Sequence, residues 1–194
     1  MTQSARLAPL EAPFEPHVAE VLARRMPKNS PVPPLALFRL FARDPNLAEA
    51  LESVGRFNLK YAPGRASELS PRDREIVIDR VCARCGCEYE WGVHVAFFAP
   101  QLGIDEAQVR ATVLGAADDP AFGERDRLLV ALVDALHDTS TVSDELWAKL
   151  SVQFSEMELL HLLVLVGWYH VIAYVANGAR IPLEPWAARF PDGA

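Results

Sequence analysis

The sequence contains few cysteines, and all three stand close together, at positions 82, 85 and 87. So tight a cluster cannot supply the disulfide framework of a small secreted domain, whereas in a reducing compartment it suggests thiol chemistry or a metal.

Basic residues are also scarce, because 19 Lys and Arg stand against 26 Asp and Glu, for a formal net charge of −7. Binding to a phosphate backbone requires clustered Lys and Arg. We therefore expect no nucleic-acid partner.

The first thirty residues lack the apolar run of about 7–15 residues that a signal peptide needs. Residues 159–176 form a long apolar run, but His161, Trp168 and His170 interrupt it and no basic flank sets an orientation. We therefore expect a cytoplasmic protein with no membrane partner, in which this run is a buried helix.

The length of 194 residues and the hydrophobic content of 51% predict one domain, residues 16–194, preceded by a flexible arm, residues 1–15.

Alternation with a period of two residues, which marks strands, is not evident anywhere in the chain. Apolar residues instead recur at helical spacing, and this spacing predicts an all-α fold of about eight helices. Ser70-Pro71-Arg72-Asp73 predicts a helix that begins at Pro71, with Ser70 as N-cap. Asp105, Ser143 and Ser155 are predicted N-caps of later helices.

The segment 74–94 holds all three cysteines beside carboxylates, aromatic residues and a histidine. Cys87, Glu90 and His94 are spaced i, i+3, i+7 and so share one helix face. Glu75 is far from His94 on a straight helix, at about 1.5 Å per residue. These groups can meet only if the chain folds back between them. Gly86 is the residue suited to that reversal, since glycine is a poor helix interior and tolerates tight turns.

Four residues of this segment have a spacing that resembles a known signature. Eleven residues separate Glu75 from Cys87, two separate Cys87 from Glu90, and three separate Glu90 from His94. This spacing is similar to the Glu-x11-Cys-x2-Cys-x3-His pattern of the alkylhydroperoxidase D (AhpD) and carboxymuconolactone decarboxylase superfamily, with Glu90 in place of the second cysteine. The flanking residues 69–75 and 88–94 resemble the decarboxylase-like branch. The resemblance implies an AhpD-like helical bundle with its site at a helix-turn-helix hairpin, and it implies homo-oligomers.

The resemblance also implies catalytic roles for Glu75, Cys87 and His94. Glu90 could take the place of the missing cysteine as an acid or base, or it could pair with an arginine such as Arg84. In the peroxidase branch the first cysteine meets the oxidant, the second is its redox partner, and Glu and His relay protons. A carboxylate at position 90 cannot form a disulfide with Cys87. An external thiol could then resolve the oxidised Cys87, and Cys85 or Cys82 could do so only if the turn at Gly86 brings it round. Both of these cysteines also suit simple packing in the core.

Cys87 is predicted to begin a helix, where the positive end of the dipole would lower the pKa of its thiol. Tyr89, Trp91, Tyr169 and His170 are candidate pocket-wall residues, with core packing as the alternative. A zinc site built from Cys82, Cys85, Cys87 and His94 has suitable ligand types, but helical geometry scatters them. We expect no metal and no cofactor.

These features favour an enzyme that acts on a small organic acid or lactone by acid–base chemistry, a decarboxylation or a related lyase or isomerase step. His94 and Glu75 would move the protons. The alternative is a peroxiredoxin-like thiol peroxidase, or alkyl hydroperoxide reductase, with an antioxidant role, in which Cys87 is oxidised to a sulfenic acid. A third alternative is a helical binding protein without catalysis. The small-molecule substrate itself is not predicted.

Overall fold

The computed structural model describes residues 4–26, 30–59 and 68–194, and this part of the chain is helical with no strand. Its nine helices are α1 (Pro16–Arg25), α2 (Ala36–Phe41), α3 (Pro45–Leu59), α4 (Pro71–Arg84), α5 (Glu88–Leu102), α6 (Glu106–Leu114), α7 (Glu124–Thr139), α8 (Asp144–Gln153) and α9 (Glu156–Ala179). The predicted all-α class is confirmed, with one helix more than the approximate number expected.

Short polar side chains start the later helices as the sequence predicts. The hydroxyl of Ser70 accepts a hydrogen bond from Asp73 N, and Pro71 occupies the first helical position of α4. Asp105 and Ser155 each form a full capping box, at the starts of α6 and α9. Local hydrogen bonding thus determines where these helices begin.

Helix α4 lies at the centre of the fold, packed against α5, α6, α7 and α9. Its residues 73–82 are all buried, including charged ones. Arg80 makes a two-pronged pair with Asp134 of α7, with Nε–Oδ1 and Nη2–Oδ2 distances of 2.8 Å each. Arg125 of α7 similarly holds Asp73, at 3.0 and 3.1 Å. These partly buried pairs fix the position of α4 against α7.

Helix α9 is the described helix whose length and composition would suffice to cross a membrane. Half of its most apolar stretch is buried within the protein, and core helices of soluble proteins meet the same criteria, so this is weak evidence for a span. The outer side of α9 carries exposed apolar side chains, namely Met157, Leu160, Val164, Val171 and Tyr174. Homo-oligomer formation and cytoplasmic location stay predictions.

Residues 4–15 precede the first helix and correspond to most of the predicted arm. The backbone N–H groups of Arg6 and Leu7 donate to Ala179 O, and Arg39 Nη1 donates to Leu10 O at 2.7 Å. This stretch therefore lies across α2 and the end of α9. Residues 1–3 of the arm lie outside the described residues.

Candidate active site

The reversal between α4 and α5 occurs at Gly86, which has a left-handed φ of +59°. Gly86 N donates to Ala83 O at 2.9 Å and Cys87 N donates to Cys82 O at 2.8 Å. This pair of bonds is the Schellman pattern, which ends a helix with a residue in the left-handed conformation, usually glycine. The backbone reversal predicted at Gly86 is therefore present.

The turn brings a buried acid–base cluster together from α4, α5 and α9. His94 Nδ1 lies 2.7 Å from Glu75 Oε2. On the other side of the ring, His94 Nε2 lies 3.4 Å from Glu90 Oε1 and 3.2 Å from the hydroxyl oxygen of Tyr169. Glu75 and His94 are 3% and 4% exposed, so water does not compete for these contacts. Both imidazole nitrogens thus have an oxygen partner in the protein interior.

The two glutamates favour a charged imidazole. Burial by itself lowers the pKa of His94, but the charges and hydrogen bonds of Glu75 and Glu90 together outweigh it. The pKa of His94 is consequently raised well above the ordinary value of 6.5. His94 is therefore a cation at neutral pH, and both of its ring nitrogens carry a proton.

Asp79 is a third acid in this cluster, and sequence reasoning missed it. It lies one turn after Glu75 on α4 and is 1% exposed. Burial, followed by the nearby charge of Glu75, raises the pKa of Asp79 well above 3.8. Its neutral form is therefore favoured, which limits the negative charge in the site. The spacing of Glu75, Asp79 and Cys82 at i, i+4, i+7 was the available signal.

Cys87 occupies the N-cap of α5, as predicted, but the expected lowering of its thiol pKa is wrong. The residue is fully buried, and desolvation raises the pKa of Cys87 to about 12. Loss of water around the sulfur disfavours the thiolate and outweighs the effect of the helix dipole. The neutral thiol is the resting form.

The other two cysteines differ in environment, and all three are free thiols. Cys82 is fully buried on α4, and burial, then the neighbouring Cys87, raises its pKa well above 9.0. Cys85 is half-buried at the C-cap of α4, and its Sγ lies 3.9 Å from His137 Nδ1. Cys82 therefore borders the acid–base cluster from inside, whereas Cys85 faces α7.

The candidate pocket-wall residues are divided between different regions. Tyr169 contacts His94, with the two rings edge to face at 5.3 Å. Tyr89 instead donates its hydroxyl to Glu184 Oε1 at 2.9 Å, and Trp91 donates to Thr112 Oγ1 at 3.1 Å. His170 pairs with His137, at 3.1 Å between ring nitrogens. Only Tyr169 of the four is in contact with the imidazole of His94 through a hydrogen bond or ring contact.

Two hollows open on the described surface away from the cluster. One, of about 450 Å³, lies between α7 and α8 and is lined by residues such as Arg127 and Lys149. The other, of about 360 Å³, lies beside the N-terminal segment, near Phe14 and Val18. Neither is lined by a residue of the acid–base cluster. Its buried, converging polar groups are the stronger reason to assign chemistry to the interior site.

Comparison with known proteins identifies the class. Residues 45–134 match the model of the carboxymuconolactone decarboxylase family. The matched residues include the whole acid–base cluster except Tyr169, so this part of the chain is similar to the carboxymuconolactone decarboxylase and AhpD-like family. No curated protein matches the chain in sequence. The superfamily resemblance stated from the sequence is confirmed.

Solved structures share the fold at low sequence identity. An uncharacterised peroxidase-related protein from Silicibacter sp. TM1040 superposes with a TM-score of 0.78 at 18% identity, covering 98% of this chain and 100% of that one. A second match is a protein of unknown function from Agrobacterium tumefaciens, described as a candidate AhpD antioxidant defence protein. Its TM-score is 0.65 at 20% identity, and the match covers 74% of this chain and 96% of that one. The C82A variant of the debrominase Bmp8, in complex with 2,3,4-tribromopyrrole, has a TM-score of 0.72 at 14% identity. That match covers 96% of this chain and 95% of the debrominase chain.

Proposed function

We propose that this protein is an enzyme that performs general acid–base chemistry on a small organic acid or lactone, with His94 and Glu75 as the proton-transfer groups. The observation that carries the proposal is the buried Glu75–His94 pair, 2.7 Å between Oε2 and Nδ1, with further polar groups on the opposite ring nitrogen. A histidine oriented by one carboxylate, with its second nitrogen near other proton carriers, is the arrangement that positioned proton transfer requires.

A decarboxylation gives each group a defined task. The bond between the substrate carbon and its carboxylate breaks, and CO₂ leaves. The electron pair of that bond moves toward the neighbouring carbonyl or lactone group, which becomes an enolate. The cationic His94 Nε2 gives a proton to the carbanionic carbon, and the Tyr169 hydroxyl, 3.2 Å from that nitrogen, donates a hydrogen bond to the enolate oxygen. His94 then regains a proton from solvent, and the Glu75 carboxylate stabilises the imidazolium throughout.

Glu90 supports substrate binding or proton return in this scheme. Its Oε1 lies 3.4 Å from His94 Nε2, while its buried Oε2 has no hydrogen-bond partner among the described residues. A buried acceptor without a partner costs about 1–3 kcal/mol, and a substrate hydroxyl or acid proton would remove that cost. The replacement of the family's second cysteine by Glu90 is thus consistent with acid–base turnover.

The experiment is an assay of CO₂ release and lactone conversion over a panel of small β-keto acids and lactone carboxylates. For any substrate accepted, His94→Gln is expected to reduce kcat/KM by about 10²- to 10⁴-fold, the usual size of general acid–base catalysis. His17→Gln is the matched control, because His17 is exposed on α1. Equal turnover by wild type and His94→Gln on every accepted substrate would refute the proposed role.

Thiol peroxidase activity through Cys87 is the second candidate. It is supported by the position of Cys87 at the N-cap of α5, and by the descriptions of the Silicibacter and Agrobacterium proteins. The Cys87 sulfur would attack the peroxide, the O–O bond would break, and a sulfenic acid would form as water or an alcohol leaves. Condensation with Cys82 or an external thiol would then give a disulfide and water, and external thiol would reduce that disulfide. Mass measurement after peroxide treatment tests this candidate, with Cys87→Ser as control. Absence of oxidation at Cys87 would exclude it.

A further inference from the structure

A second group of chemically reactive side chains lies outside the acid–base cluster, where the end of α4 meets α7 and α9. It consists of Cys85 at the C-cap of α4, His137 in the last turn of α7, and His170 on α9. All three are half-buried, and their Sγ, Nδ1 and Nε2 atoms lie within 4.8 Å of one another. The acid–base chemistry proposed above uses none of them.

The spacing of these atoms fits coordination to a single ion. His137 Nδ1 lies 3.1 Å from His170 Nε2, and Cys85 Sγ lies 3.9 Å from His137 Nδ1. Zinc-ligand bonds are about 2.0–2.1 Å long for nitrogen and about 2.3 Å long for sulfur. In a tetrahedral site with these bond lengths, two nitrogen ligands lie about 3.3 Å apart, and a nitrogen and a sulfur ligand lie about 3.6 Å apart. These two observed separations differ from the tetrahedral ones by a few tenths of an ångström, and all three ligand atoms lie within 4.8 Å of one another.

The surroundings hold the ligand atoms in the orientation a metal needs. His170 Nδ1 donates to Val166 O at 2.8 Å, since a carbonyl oxygen can only accept. In the neutral ring the lone pair is therefore on Nε2, the nitrogen that faces His137. Metal-binding histidines usually donate their other N–H to such a carbonyl or carboxylate. Asn177 Nδ2 donates to Cys85 O at 2.9 Å and fixes the cysteine turn to α9.

The local charge also permits a cation. Arg84 is the nearest positive side chain in sequence to Cys85, and two acids on α7 neutralise it. Its guanidinium lies 3.6 Å from Asp134 and is hydrogen-bonded to Asp138. The positive charge of Arg84 is thereby partly neutralised.

We propose that Cys85, His137 and His170 bind one transition-metal ion of the zinc class, with a fourth position open to water or an external ligand. One thiolate and two imidazoles suit zinc and its neighbours rather than magnesium or calcium, which prefer oxygen ligands. The ion joins the C-terminal ends of α4 and α7 to the body of α9, so it stabilises the turn that carries Cys87. This site was not predicted from the sequence, from which we expected no metal.

Zinc binding is tested on the full chain after chelator treatment and dialysis under a metal-free reductant. Competition with a chromophoric chelator should give one zinc per chain. Cys85→Ser, His137→Gln and His170→Gln should each weaken zinc affinity by more than about 100-fold, because loss of even an outer-shell partner costs about 10- to 100-fold. Cys82→Ala and His17→Gln are matched controls and should bind zinc as wild type does.

A second measurement has wild-type readouts that do not depend on whether the variants fold. Cobalt added to the wild type should give the near-ultraviolet charge-transfer band of a cobalt-thiolate bond and visible bands of tetrahedral cobalt, and Cys85→Ser should lack the thiolate band. Zinc should raise the Tm of the wild type, because a ligand that binds only the folded chain stabilises it. No saturable zinc binding, binding unaffected by the three ligand variants, or a cobalt spectrum without a thiolate band would overturn the proposal.

Discussion

The imidazole of His94 and the carboxylate of Glu75 are 19 residues apart in sequence and 2.7 Å apart in space, both in the protein interior. Their contact depends on the left-handed turn at Gly86, which lays α5 against α4. The same contact sets the charge state of the imidazole and fixes its orientation. Four predictions follow from this arrangement and from the environments of the neighbouring groups.

Glu75→Gln should lower the pKa of His94, because the amide removes the negative charge and the charge-assisted hydrogen bond at Nδ1. NMR titration of the imidazole measures this directly. Glu88→Gln is the control, because it makes the same chemical change at a carboxylate that accepts a hydrogen bond from Phe190 N instead. A His94 pKa that is the same in Glu75→Gln and wild type would mean that Glu75 is not its main partner.

The stability of the protein should fall as pH rises above 6.5. The folded pKa of His94 is raised, so its contribution is fully present below the unfolded value of 6.5 and is lost as pH rises through the folded pKa. One proton gives a slope of at most about 1.4 kcal/mol per pH unit. Asp79, whose pKa is also raised, changes stability in the same direction from about pH 3.8 upward.

Denaturant unfolding from pH 6 to 9 tests this dependence in wild type and His94→Gln. The variant should be less stable near pH 6 and should lose the part of the slope that belongs to the imidazole, while any contribution from Asp79 remains in both proteins. Parallel pH profiles in the two proteins would show that His94 titrates with the same pKa folded and unfolded.

Gly86→Ala should destabilise the protein by about 1–2 kcal/mol, because a side chain makes the left-handed conformation unfavourable. A Cβ at this position would meet nothing within 4 Å, so the cost is one of backbone conformation alone. Gly167→Ala is the matched control, since its Cβ is equally free of contacts but lies inside α9. There alanine should stabilise by up to about 1 kcal/mol. Equal effects of the two changes in urea unfolding would contradict this account.

Cys85 should react first with a thiol-labelling reagent in the folded protein, because it is half-buried whereas Cys82 and Cys87 are fully buried. At neutral pH Cys82 and Cys87 also remain as thiols, since burial raises the pKa of both. Time-resolved labelling followed by peptide mass analysis gives the order, and labelling in denaturant gives the reference rates. Faster labelling of Cys87 than of Cys85 would indicate that the interior site opens readily to solvent.

Several elements of the fold were predictable because local chemistry determines them. Ser70, Asp105 and Ser155 act as N-caps through hydrogen bonds to residues three positions later, which a sequence displays directly. Gly86 was likewise identifiable, since one residue in the segment suited a left-handed turn. The end of α9 was harder to predict, because Asn177 and Gly178 suggest a stop there. The helix continues to Ala179, and Arg180 takes the left-handed conformation.

The sequence by itself determined the helical class, the hairpin and the meeting of Glu75, Glu90 and His94, since these depend on spacing along two adjacent helices. Tertiary structure alone decided the protonation of the cluster, because the pKa of Cys87 and that of Asp79 respond to burial by distant helices. It also brought Cys85, His137 and His170 together. Their separations of 52 and 33 residues reflect the packing of α4, α7 and α9, which no periodicity within one helix encodes.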